Sequence, residues 1–202
     1  MFPLFLKLEK RRCLVVGAGS IAESKIAGLV DTGAHVRVVA PEATPQVRAW
    51  ASSRKIDWQQ RIFRPADLRG MFLVVAATPS AALHERIFRA ARRLGVLCNI
   101  VDVQRLCDFY YPAVVRRGAL QIAVSTTGHS PALAQRLRKE LEGYFGAEYE
   151  EWLVSVGKAR EKIHAKKLKP GKRKQLLHQL VSQKAFETFR ENWKRKRRRR
   201  SS

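Results

Sequence analysis

The sequence predicts an α/β fold in which a parallel sheet is covered by helices on both faces. Three observations carry this. Short apolar segments alternate with helical ones from Cys13 to Val101. Those segments are apolar throughout rather than at every second residue, the mark of strands buried on both sides. A glycine turn joins the first strand to the first helix, as in βαβ units that open a sheet of this kind.

The elements come in order. Cys13-Leu14-Val15-Val16 is the first strand and stops at Gly17-Ala18-Gly19. A helix runs from Ile21 to about Thr32, with Ile21, Ala22, Lys25, Ile26, Leu29 and Val30 at three- and four-residue spacing, and Gly33 ends it. His35 to Val39 reads as the second strand, closed by Pro41. Val47 to Ser52 reads as helical, and Ile56 to Phe63 as a weak strand region. Leu73 to Ala77 is a fully apolar strand ending at Thr78. A helix from about Ala81 to Leu94 closes at Gly95, and the strand Val96 to Val101 ends at Asp102.

After Asp108 the pattern changes. Tyr110-Tyr111-Pro112 punctuates the chain, and Leu120 to Ser125 is one more strand. Ser130 is a good N-cap and Pro131 fits the first helical position, so a helix is expected through Leu133, Ala134, Leu137 and Leu141 to about Phe145. From Ala147 onward only helical periodicity and rising basicity remain, with Pro170-Gly171 as a break. The expected division is 1–111, 112–144 and 145–202.

The chain has 202 residues, 46% hydrophobic and 28% charged, so it can bury a core and is neither disordered nor collagenous. Its formal net charge is +23. Residues 151–202 hold 18 basic and 4 acidic side chains, against 22 and 13 in residues 1–150, so the basicity is concentrated in the last quarter. The longest apolar run, Phe72 to Ala77, is far short of the ~20 residues of a membrane span. The apolar start, Met1 to Leu8, is followed rather than preceded by its charges, unlike a signal peptide. Cys13, Cys98 and Cys107 fit neither a disulfide framework nor a metal-ligand spacing. Buried free thiols at Cys13 and Cys98, which sit in apolar runs, and a reducing cytoplasm are expected, with no resident metal and no membrane contact.

Gly17-Ala18-Gly19-Ser20-Ile21-Ala22 is a G-x-G-x-x-A turn between a strand and a helix. Gly17 permits the tight turn, Gly19 lets the backbone approach a pyrophosphate, and Ala22 allows close helix–strand packing. The helix start at Ser20 and Ile21 supplies free N–H donors and a partial positive charge. Together these point to dinucleotide binding. Glu42, just past the second strand, is the candidate for the ribose hydroxyls; with no arginine directly after that strand, NAD is favoured over NADP. Thr78 is expected to line the same cleft.

Three segments together resemble the precorrin-2 dehydrogenase family, the N-terminal module of sirohaem synthases and its stand-alone relatives. The first is Pro3-Leu4-Phe5-Leu6 leading through Gly17-Ala18-Gly19 to Ala22 and Lys25. The second is Cys98-Asn99-Ile100-Val101-Asp102 followed by Leu106-Cys107-Asp108-Phe109. The third runs from Pro112 through Arg116-Arg117-Gly118 to the most specific stretch, Ser125-Thr126-Thr127-Gly128-His129-Ser130-Pro131-Ala132-Leu133-Ala134. The resemblance covers residues 1–145 well and the helical remainder loosely.

It implies a Rossmann domain, a small dimerisation segment and a C-terminal helical domain, arranged as an intertwined homodimer. The implied activity is NAD-dependent oxidation of precorrin-2 to sirohydrochlorin; some members also insert Fe²⁺. The 202 residues leave no room for a methyltransferase domain, so precorrin-2 is expected from a separate protein. The chain departs from the family pattern at Ala18, common Gly; Ser24, common Arg; His84, frequent Asn; Thr127, common Gly; and His129, usually small or Lys.

Asp102 is the expected catalytic residue. It follows a buried parallel strand at the carboxyl edge, where open α/β sheets bind ligands. Hydride removal is coupled to loss of a macrocycle proton, which a carboxylate raised by partial burial accepts; the family's proposed base falls at this position. Ser125, Thr126, Thr127 and Gly128, before the helix at Ser130, are expected to bind carboxylates of a substrate with eight acid side chains. Arg116 and Arg117 offer bidentate contacts. His129 is an accessory acid/base or metal-contact candidate.

Lys194 to Arg200 is seven consecutive basic residues, with no interleaved aromatics and no recognition motif. A disordered solubilising tail, or one attracting an octa-anionic substrate, is expected over specific nucleic-acid binding. The rival to an enzyme is a non-enzymatic NAD(H) sensor whose basic tail holds a polyanion.

Overall fold

The computed structural model describes residues 1–200 and divides into two compact units, Met1–Tyr111 and the chain from Pro112 onward. The first unit contains β1 (Arg12–Val16), α1 (Ser20–Val30), β2 (His35–Val39), α2 (Pro45–Ser52), β3 (Asp57–Gln59), β4 (Leu73–Ala76), α3 (Ala81–Leu94) and β5 (Leu97–Ile100). The strands form one parallel sheet in the order β3-β2-β1-β4-β5. The order reverses between β1 and β4, which makes the crevice outside their carboxyl ends the topological switch point of a doubly wound fold.

Strand alternation divides the core. Cys13 and Val15 of β1 and Leu73 and Val75 of β4 face Ala22, Ile26 and Leu29 of α1 and Val47 of α2. Leu14, Val16, Val74 and Ala76 face the other way, onto Ile87 and Ala91 of α3 with Leu68, Cys98 and Ile100. Both faces are covered, which is why the strands read as continuously apolar. α3 has the expected ends: the Ser80 hydroxyl accepts from the Leu83 N–H at 3.3 Å, and Gly95 closes it in the left-handed conformation.

Burial pushes the Cys13 thiol up to about 11 and the Cys98 thiol up to about 12. The native protein should therefore resist a thiolate-selective reagent near pH ~8 at these two positions, and react fully once denatured. Fast labelling of the folded chain at Cys13 or Cys98 would contradict the packing.

The weak strand region contracts to the three residues of β3. Beyond it the chain turns to serve a buried carboxylate. Asp67 accepts both arms of the Arg61 guanidinium, at 2.7 and 2.9 Å, and the Arg64 N–H at 2.8 Å. Burial pushes this carboxyl up, but the Arg61 fork and the Arg64 N–H outweigh it and hold it below the usual range. A depressed carboxyl stabilises the fold above its unfolded pKa, and that contribution is lost as pH falls through the folded value. Asp67→Ala should thus lower stability by about 2 kcal/mol at neutral pH and by less in acid, read from denaturant melts. An equal loss at both pH values would contradict this.

The second unit begins with a hairpin, β6 (Ala113–Arg117) and β7 (Leu120–Val124), paired antiparallel from Ala113 with Val124 to Arg117 with Leu120. The sequence reading expects one strand here and the structure has two; Val114 and Val115 supply the β-branched run, and Gly118, at φ +55°, makes the turn. Among the described residues, four helices complete the unit: α4 (Pro131–Tyr144), α5 (Glu148–Ala165), α6 (Pro170–Leu180) and α7 (Gln183–Arg200). Pro170 is the first residue of α6, so the break is also a helix start. Phe145, Tyr149, Trp152 and Phe186 pack as an aromatic cluster with ring centroids 4.5–5.7 Å apart. The basic run is the end of α7 rather than a disordered tail: Trp193 donates to Glu151 at 2.9 Å, and Arg197 lies over its ring at 4.8 Å.

Candidate functional site

The carboxyl edge of the sheet holds the first site. Gly17 ends β1 with φ +104°, and its N–H donates to the Val39 carbonyl at 3.0 Å. A Cβ added there would lie 2.2 Å from the Ala77 carbonyl oxygen. Only glycine passes between β1 and the end of β4. Gly19 differs. Its backbone is ordinary, φ −80° and ψ −176°, and an added Cβ would meet nothing within 4 Å. The fold itself does not need that glycine, and its absent side chain leaves the backbone open to a ligand's approach. No side chain caps α1, so the N–H groups of Ser20, Ile21 and Ala22 at its start have no side-chain acceptor. Behind the turn, Thr44 donates its N–H to the Ala18 carbonyl at 3.0 Å and its hydroxyl to Glu23 at 2.7 Å.

Thr78 follows β4 beside Gly17, and its hydroxyl is buried with no hydrogen-bond partner. The Thr78 carbonyl accepts from His84 at 2.7 Å, so the histidine that departs from the family pattern holds the backbone here. An orphaned buried hydroxyl, a glycine turn and an uncapped helix start meet at the switch point. These residues fit a dinucleotide pyrophosphate. Glu42 lies just past β2 and is exposed, at the edge where a ribose would sit.

Asp102 follows β5, and neighbouring strands are about 4.8 Å apart, so two strands place it roughly 10 Å along the edge from the Gly17 turn. Its φ is +62°, in the left-handed region that Asp adopts more readily than most residues. The turn that holds it is pinned from below. Buried Asn99 donates to the Phe109 carbonyl at 2.7 Å. The Cys107 thiol donates to the Ile100 and Val103 carbonyls at 3.1 and 3.3 Å. Asp108 exchanges bonds with Cys98, giving its N–H at 2.7 Å and accepting at 2.9 Å. The burial expected around Asp102 is not supplied by this chain: the residue is exposed.

Asp102 opens on a cavity of about 330 Å³ that it shares with Lys25, Asn99, Cys107, Tyr110 and Tyr111. Lys25 Nζ sits 4.1 Å above the Tyr111 ring. Burial lowers the Lys25 ammonium and the Asp102 charge pulls it back up. Neither Lys25 nor Tyr111 is among the expected site residues. The available signal is helical spacing: Lys25 lies three residues past Ala22 in α1, one turn beyond the uncapped helix start.

The remaining candidates lie in the second unit. The loop from Ser125 to Ser130 joins β7 to α4. Thr126 Oγ1 donates to the Ser130 carbonyl at 3.0 Å and accepts the Ser130 N–H at 3.1 Å. Ser130 caps α4 as expected, accepting from the Leu133 N–H at 3.2 Å. Thr127 and Gly128 both have positive φ, +50° and +85°. That explains the common Gly at position 127, since a β-branched residue is strained there. The two departures in this loop are joined. Thr127 Oγ1 donates to the Thr126 carbonyl at 2.7 Å and lies 3.0 Å from His129 Nδ1. His129 Nδ1 is also 3.1 Å from the Thr126 carbonyl, an arrangement that assigns the proton to Nδ1. Arg116 is exposed. Arg117 is not the open fork expected: its Nε and Nη2 donate to the Phe145 and Glu142 carbonyls at 2.7 and 3.1 Å. It fastens the hairpin to the end of α4. Among the described residues no group of three or more His, Cys, Asp or Glu side chains gathers to hold a metal, and no helix is long and apolar enough to cross a membrane.

A five-stranded parallel sheet with a glycine turn at its switch point defines a dinucleotide-binding protein. Residues 4–113 match the family model described as "Putative NAD(P)-binding", and residues 117–144 match the one for the sirohaem biosynthesis protein central region. The chain belongs to this NAD(P)-binding family. It is 40% identical over 157 residues to a siroheme synthase of Nitrosococcus oceani, an alignment covering 73% of this chain and 34% of that protein. A siroheme synthase of Neisseria meningitidis is 39% identical over 165 residues, 82% of this chain and 34% of that one. The chain thus spans about a third of the length of these curated relatives. Among solved structures, SirC, a precorrin-2 dehydrogenase, superposes with a TM-score of 0.77 at 25% identity, covering 96% of this chain and 100% of that one.

Proposed function

We propose that this protein oxidises precorrin-2 to sirohydrochlorin with NAD⁺ as acceptor. The observation that carries the reading is Asp102, held in a pinned left-handed turn over a cavity two strands from the phosphate turn. NAD⁺, when bound, supplies the hydride acceptor. Gly17, Gly19, Ser20, Ile21 and Ala22 hold its pyrophosphate, Glu42 its ribose hydroxyls, and the Thr78 hydroxyl finds there the partner it lacks. Asp102 accepts the proton the macrocycle loses as the hydride leaves, so that precorrin-2 and NAD⁺ become sirohydrochlorin, NADH and a proton. Arg116 and the loop of Ser125, Thr126, Thr127, Gly128 and His129 bind substrate carboxylates.

The working unit in this reading is a homodimer. Among the described apolar residues of the second unit, only Val115, Ala134 and Phe186 are buried, while Leu133, Tyr144, Val154 and Val181 are 39–78% exposed. A two-stranded hairpin is also marginal alone, and a second copy would cover such surfaces. Three free thiols with no disulfide among the described residues fit the cytoplasm. Iron, in this account, is a substrate for a second step that the same assay reads on adding Fe²⁺.

Deleting residues 194–202 separates enzyme from sensor. The enzyme should keep its NAD affinity and turn over within roughly twofold of the full chain at physiological salt. A full chain without turnover that loses a salt-sensitive polyanion complex on this deletion would favour the sensor.

A further inference from the structure

We propose that Lys25 is a substrate-binding residue, whose ammonium receives one carboxylate of the tetrapyrrole within the cavity that holds Asp102. The inference rests on the proposed dehydrogenase function and names a contact within that site. Lys25 and Asp102 line the same cavity of about 330 Å³. That volume is at the small end of ligand pockets, so it admits one carboxylate-bearing edge of a macrocycle rather than the whole. Lys25 is seated but not paired: its Nζ lies 4.1 Å above the Tyr111 ring, and among the described residues no carboxylate lies within ion-pair distance of it.

The electrostatics point the same way. Half-burial works against the ammonium, and the Asp102 charge only partly offsets this. A carboxylate entering the cavity would complete the pairing that the folded chain leaves open. The aromatic seat also restricts the ammonium: cation–π attraction favours one position, over the Tyr111 ring, of an otherwise flexible side chain. The Tyr111 hydroxyl, pushed up to about 12 by burial, stays protonated at working pH, so the ring contact does not become a salt bridge to a phenolate. Proton acceptance by Asp102 and carboxylate capture by Lys25 would together orient one edge of the substrate.

The test is equilibrium binding of uroporphyrin, a stable octacarboxylate porphyrin, to the full chain, followed by its fluorescence at physiological salt without NAD. Lys25→Met should weaken binding about tenfold or more, the loss of one charge-assisted contact. Lys25→Arg should remain within about threefold of the wild type, because it keeps the charge and the aromatic seat. Lys55→Met removes a lysine outside that cavity and should change little. In turnover, Lys25→Met should raise KM for precorrin-2 and leave NAD⁺ affinity unchanged, a split that a merely structural lysine would not produce. Equal affinity in Lys25→Met and wild type, an equal loss in Lys55→Met, or no binding by the wild type would overturn the proposal. A wild type that binds uroporphyrin through Lys25 yet forms no NADH from precorrin-2 would instead overturn the dehydrogenase reading.

Discussion

Asp102→Asn is expected to fold, bind NAD⁺ and lose most of its turnover. Asparagine is the substitution that isolates the chemistry. Asp102 sits at φ +62°, and Asn tolerates that region as well as Asp does, so the turn should survive. The bonds that fix the turn come from Asn99, Cys107 and Asp108, not from the Asp102 side chain. What disappears is the proposed proton acceptor. Positioned general bases contribute roughly 10²–10⁴-fold, and a loss of that size in kcat is expected. Asp102→Ala would be a poorer experiment, because it adds backbone strain of about 1 kcal/mol or more to the chemical loss. Turnover, NAD⁺ affinity and the thermal midpoint should be measured on one preparation. Wild-type turnover in Asp102→Asn would remove this residue from the chemistry.

The second large effect lies in the phosphate turn, where two alanine substitutions should fail differently. Gly17→Ala places a methyl 2.2 Å from the Ala77 carbonyl. That carbonyl cannot easily retreat, since the Ala77 N–H beside it is bonded to Val16 at 2.9 Å. With the strained φ added, the cost should reach about 3 kcal/mol or more, enough to unfold a marginal domain. Gly19→Ala meets no atom of the chain and has an ordinary φ, so the fold and its thermal midpoint should be unchanged. Its methyl projects where the pyrophosphate approaches, and NAD⁺ affinity should fall tenfold or more. A Gly19→Ala protein with native affinity would move the cofactor away from this turn.

Much of the first unit is legible in the sequence because its signals are local. The apolar run of β1, the glycine turn and the α3 boundaries at Ser80 and Gly95 each depend on neighbouring residues. The β3 region is harder: it is three residues long, and the segment after it is organised by Asp67, whose partners Arg61 and Arg64 do not announce a buried ion pair. β6 escapes the sequence reading because Val114-Val115 is too short to read as a strand without its partner β7. Arg117 reads as an open fork because the sequence does not show that the α4 carbonyls lie beside it. Lys25 and Tyr111 are separated by 86 positions, and only the folded unit puts the ammonium over the ring. The Thr127–His129 pair is visible in the sequence as two departures from a pattern; its hydrogen bond is not.

The most direct test is an anaerobic reaction of the purified protein with precorrin-2 and NAD⁺, following sirohydrochlorin absorbance and NADH together. Stoichiometric appearance of both, dependent on the protein and abolished in Asp102→Asn, is the predicted result. Tight NAD⁺ binding with no oxidation of precorrin-2 would contradict it and leave a dinucleotide-binding protein of another kind.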